Sequence, residues 1–134
     1  MRKQYHFRQS DRGLLAWDVD KLVDLTSDLT PEEVPLSTIR ELDEPFWYGC
    51  AGDVPTCRSV ALRARLMSET DLKYPIILSQ DGGVMDGMHR VCKALTQGKK
   101  SILVVQLQQD PEPDYVGVDP EDLPYEERKA EQSN

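Results

Sequence analysis

The residues best suited to chemistry lie in one short stretch, Asp86-Gly-Met-His-Arg90, with Lys93 just beyond it. Asp86 reads as a helix N-cap, its carboxylate accepting from the amides of the first turn; its other use would be as a metal ligand. First-turn N–H groups have no intrahelical partner, and the helix macrodipole adds partial positive charge there. Gly87 carries no side chain to hold an anion away from the backbone. The amides from Gly87 through Met88 to Arg90, with His89, Arg90 and Lys93 as flanking donors, form a candidate phosphate cradle. His89 can donate to a phosphate whether protonated or neutral. Plainer readings stay open beside it: a capped, half-buried helix whose His89 and Arg90 are merely solvated, or an Arg90 that turns inward to pair, structurally, with Asp86 or another acid.

The elements that must position these residues follow from the local pattern. Tyr74–Ser79 reads as a strand, with Pro75 near its start where a missing N–H is tolerated. Asp81-Gly82 is the dipeptide that a type I′ hairpin turn prefers, and Gly83-Val84-Met85 is the returning arm. Met88, Val91, Cys92 and Leu95 recur at helical spacing, and Gly98 marks the stop. Ser101–Leu107 is the most β-prone run of the chain.

This succession of strand, turn, Asp86-Gly-Met-His-Arg90 opening a helix, Gly98 and a closing strand resembles the ParB/sulfiredoxin fold. The resemblance covers roughly residues 30 to 108, with its specific motifs between 74 and 105. It implies an α+β domain, a small mixed sheet with flanking helices, over residues 14–108. It also implies that the helix start holds nucleotide phosphates, since relatives bind CTP, ATP or ADP there, with Mg²⁺ where phosphate is transferred. In the free serine kinases that share the fold, a glutamate upstream of the motif is the base. That makes Glu41, beside Asp43 and Glu44, the candidate partner of His89 in catalysis, unless the three acids are simply a solvated loop.

Two departures narrow the implied activity. Sulfiredoxin has a cysteine immediately before the His-Arg pair, where this chain has Met88, so that chemistry is not expected. Partition proteins continue into DNA-binding and dimerisation domains, which are not expected from the residues after 108. Two functions stay in view: a nucleotide-binding module, as a small kinase or hydrolase if it turns over, and a non-enzymatic adaptor that keeps the fold and binds a protein or nucleic-acid partner.

The rest of the chain supplies context. The helix expected from Thr56 or Cys57 to about Thr70 would place Val60, Ala61, Ala64 and Met67 inward, and one of Arg58, Arg63 and Arg65 could reach a phosphate. Leu14–Val19 reads as a strand and Asp20 as the cap of a following helix. Val34–Leu36 reads as extended, with Ser37 capping a short helix to Leu42. Residues 1–13 read as a flexible arm. Residues 49–55 read as a loop, and Cys50 and Cys57 lack the companions a zinc site needs. With 134 residues, a single core is affordable. No run is apolar enough for a bilayer, and three cysteines suit a reducing cytoplasm. Net charge is −8. Residues 110–134 hold nine acids against two bases, and residues 57–100 hold eight bases against four acids. An acidic whole disfavours broad nucleic-acid binding, a basic motif region suits one phosphorylated ligand, and residues 109–134 read as an acidic, disordered tail.

Overall fold

The computed structural model describes residues 3–48 and 54–125. Readings that fall on residues 49–53, Cys50 among them, and on residues 126–134 lie outside the described residues. The described chain is mixed α+β, with two small sheets and three α-helices. It divides into two compact units, Leu29–Gln109 and the residues on either side of it.

The unit Leu29–Gln109 contains the candidate motif. Its sheet runs β3 (Glu32–Pro35), β6 (Ser101–Gln106), β4 (Ile76–Leu78), β5 (Val84–Asp86), in that spatial order. β6 is antiparallel to β3 and parallel to β4, and β4 is antiparallel to β5. The parallel pair requires a crossover, which the chain makes through β5 and helix α3 (Met88–Thr96). Ile76, Leu78, Ile102 and Val104 of the sheet close over Met88, Val91 and Ala94 of α3, with Leu36 and Ile39 completing the core. Ala94, rather than the expected Leu95, faces inward; Leu95 is exposed. Helix α2 (Cys57–Glu69) starts at Thr56 through a reciprocal capping box with Ser59, and no residue along it is fully buried. In place of the expected short helix after Ser37, the chain makes two 3-10 turns, Leu36–Thr38 and Arg40–Asp43.

The β4–β5 turn is not type I′, because only Gly82 takes positive φ, at 90°. Asp81 instead turns its carboxylate back, accepting from Ser79 Oγ and, at 3.1 Å, from Gly83 N. These bonds, ahead of the Arg40 guanidinium, hold its carboxyl down at about 2.

The second unit corrects the reading of both chain ends. β1 (Tyr5–Ser10) lies where a flexible arm was expected, antiparallel to β2 (Gly13–Asp18). Helix α1 (Val19–Thr26) is capped by Asp18, not Asp20; the Asp18 carboxylate accepts from Asp20 N at 2.9 Å. The acidic segment after residue 109 carries regular structure among its described residues: β7 (Tyr115–Val116) adds to β2, and a 3-10 turn follows at Pro120–Asp122. Among the described residues, no helix is long and apolar enough to cross a membrane.

Candidate functional site

α3 opens behind Gly87, whose φ of +107° is left-handed. A Cβ there would lie 2.5 Å from Ile76 Cγ2 and 2.8 Å from Arg90 Nη2, so the backbone turn and its close packing both require glycine. Asp86 is therefore not the cap. It is the last residue of β5, and its Oδ2 accepts from Arg90 Nη2 at 3.0 Å. The same Nη2 donates to Pro75 O at 3.3 Å, and Arg90 Nε is buried without a partner among the described residues. The inward pairing left open by the sequence is the one realised: Arg90 fastens α3 to the end of β5 and to the residue before β4. Met88 sends its side chain into the core. The amides of Met88, His89 and Arg90 have no acceptor among the described residues, and the first bond to the cap is Val91 N to Gly87 O, 3.1 Å.

His89 turns toward Trp47. The rings stack with centroids 4.7 Å apart and planes 21° from parallel. Arg63, from α2, places its guanidinium 4.8 Å above the same indole, with Nη1 3.3 Å from His89 Nε2. Imidazole and guanidinium can touch only if both lie on one face of Trp47; Trp47 itself packs against the core of this unit. A guanidinium has donors only, so His89 Nε2 is the acceptor, and this contact assigns the ring proton to Nδ1. Burial, then the charges of Arg63 and Arg90, push the His89 imidazole below its ordinary value, with Asp86 opposing. The ring is thus neutral near pH 7, and its environment is net positive. Arg63 has no carboxylate partner among the described residues.

The other two candidates are engaged elsewhere. Lys93 Nζ donates to Ser68 O at 3.1 Å and Thr70 O at 2.6 Å, satisfying carbonyls at the C-terminal end of α2. Glu41 is buried beside β5, where its Oε2 accepts from Val84 N at 3.0 Å. β5 is an edge strand, so Glu41 closes a backbone donor that would otherwise face outward. Its Oε1 is buried without a partner among the described residues. Val84 opens β5 and Asp86 ends it, about 7 Å along the strand; Glu41 is held at the end away from the helix start. The structure therefore keeps the amides at the start of α3 and the His89 ring together, while the Met88 side chain goes to the core, Asp86 and Arg90 pair with each other, and Lys93 and Glu41 have other tasks.

Trp47 and Arg63 are the residues that the sequence did not single out. Arg63 stood among three arginines with nothing in its spacing to separate it from Arg58 and Arg65. Trp47 sat in an acidic stretch where no periodicity applied. Three backbone amides without acceptors and a guanidinium without a carboxylate partner, among the described residues, are what the helix start and its neighbour offer. Asp86 is paired with Arg90, and no cluster of three His, Cys, Asp or Glu side chains occurs among the described residues. No family model, curated protein or solved structure matches the chain.

Proposed function

We propose that this protein binds the phosphates of a small nucleotide at the start of α3, on a scaffold of the ParB/sulfiredoxin kind. The order β4, turn, β5, Gly87, α3, β6, with β4 and β6 parallel, supports that scaffold. The observation that carries the binding is Arg63: a guanidinium held by Trp47 and by His89, without a carboxylate partner among the described residues, where His89 belongs to the first turn whose three amides lack acceptors among them. Charge-assisted bonds of this kind contribute about 1.5–3 kcal/mol each.

The same geometry favours binding over turnover. His89 Nε2 already accepts from Arg63, so its lone pair is not directed at a substrate hydroxyl or water. Glu41 is spent on Val84. Neither group is placed to activate a nucleophile. Mg²⁺, where it enters, would travel with the nucleotide phosphates.

Thermal shift and calorimetric titration with ATP, ADP, CTP and inorganic phosphate, each with and without Mg²⁺, test this. A bound nucleotide at a hundred times its Kd raises folding stability by about 2.7 kcal/mol. Arg63→Ala should leave melting of the free protein nearly unchanged and weaken nucleotide binding about tenfold or more. If none of these ligands shifts the melting curve, the site is not a phosphate site, and the adaptor role becomes the better reading. Binding by Arg63→Ala as tight as wild type would move the site elsewhere.

A further inference from the structure

The contact between Arg63 Nη1 and His89 Nε2, 3.3 Å long on the surface of Trp47, exists only while the imidazole has a lone pair at Nε2. Protonation would turn both partners into donors and both into cations. The groups facing His89 decide what happens next. From α2 comes Arg63; the turn before residue 49 supplies the uncharged indole of Trp47. Its own helix supplies Arg90, and the end of β5 supplies Asp86, already paired to Arg90. Lys93, one turn further along α3, is bonded to the Ser68 and Thr70 carbonyls. No carboxylate among the described residues is left to balance a His89–Arg63 pair of like charges. A doubly charged oxyanion seated between them would.

We propose that His89 and Arg63 form a proton-controlled clasp on Trp47: the neutral imidazole retains the guanidinium, protonation releases it, and a dianionic oxyanion is captured together with a proton. The clasp rests on the anion site proposed above and adds its regulation. Affinity for a dianion then rises as pH falls through the range in which His89 titrates. The proton goes to Nε2, and the Arg63 N–H that it had accepted is redirected to the anion, so charge and protons balance.

Sulfate is the probe, because it stays doubly charged across this range and does not itself titrate. Titrate the full-length protein calorimetrically at about pH 7.5 and about pH 4.5, the lower value set well beneath the ordinary imidazole value near 6.5 because His89 is held below it, in buffers of different ionisation heat. The expected result is several-fold tighter sulfate binding at the lower pH with proton uptake by the protein. His89→Gln should bind sulfate with an affinity that no longer depends on pH. Sulfate binding that is equally tight at both pH values in wild type overturns the clasp and leaves the anion site standing. Absence of sulfate binding at both values removes the anion site and the clasp with it. A second measurement needs no folded variant of His89. The chain has two histidines, so ring resonances of wild type follow each one directly. The His89 midpoint should rise on adding sulfate and in Arg63→Gln; a midpoint unmoved by either refutes the clasp.

Discussion

Gly87 carries the sharpest steric constraint at the site. Its φ of +107° is unfavourable for any L side chain, and the space where a Cβ would sit is taken by Ile76 and Arg90. Left-handed strain costs about 1–3 kcal/mol, and forcing a methyl into packed surroundings costs about the same again. Gly87→Ala is therefore expected to lower stability by about 3 kcal/mol in urea unfolding, and a loss under about 0.5 kcal/mol would show that the turn is not built as described. This glycine was legible in the sequence, though for a different reason. It was read as room for an anion, whereas its first duty is to let β5 pass directly into α3 beneath the Arg90 side chain. Cys92, also on α3, is packed rather than reactive: burial pushes its thiol up, the direction that removes nucleophilic character.

At the scale of elements, Arg90 acts as a strut. It joins α3 to the end of β5 through Asp86 and to the segment entering β4 through Pro75 O, and both side chains of the pair are mostly buried. Removing one member strands the other's charge, whereas replacing both need not. Arg90→Ala should cost about 3 kcal/mol, and Asp86→Asn combined with Arg90→Met distinctly less than Arg90→Ala alone. Chemical denaturation of the set checks it; equal losses would mean that the pair is not the strut. Elements whose apolar residues recur at a clean period were legible: β4, α3 and β6 fall close to where Tyr74–Ser79, the Met88 repeat and Ser101–Leu107 placed them. Caps were less so. Asp86, Asp18 and Asp20 are equally good capping residues by type, and which one caps depends on competing partners. Arg90 draws Asp86 away, while Lys3 bonds both Asp18 and Asp20. The Trp47–His89–Arg63 contact was not legible because its members come from three separated segments, brought together only by packing.

At the scale of the whole molecule, the two chain ends build one unit, and its chemistry explains why composition misread them. Tyr5-His-Phe-Arg-Gln-Ser10 looks polar until it pairs with β2. The acids after residue 109 look like a solvated tail, yet several are specific partners: Asp110 holds Arg8 at 3.1 Å, and Asp114 accepts from Asp18 N at 2.8 Å and from Lys21. Trp17 Nε1 donates to Pro111 O at 2.8 Å, and Gly117 N to Leu14 O at 2.8 Å. Within this unit His6 lies against Trp17, and burial, then the charge of Arg8, lower its imidazole to about 4, with Asp110 opposing. The unfolded chain, with an ordinary value near 6.5, takes up the proton first as pH falls. The stability associated with neutral His6 is thus fully present above about 6.5 and is lost on acidification from about 6.5 toward about 4. Complete loss would amount to about 3 kcal/mol. Urea unfolding followed through the Trp17 indole N–H resonance, at about pH 7 and about pH 5, should show a lower midpoint at the acid value. His6→Gln should narrow that difference, because the residue no longer titrates; His89, lowered in the same direction in the other unit, is read by its own resonances. If the Trp17 midpoint holds constant between the two pH values, His6 is not buried as a neutral base, and the packing of β1 against β2 that places it there is wrong.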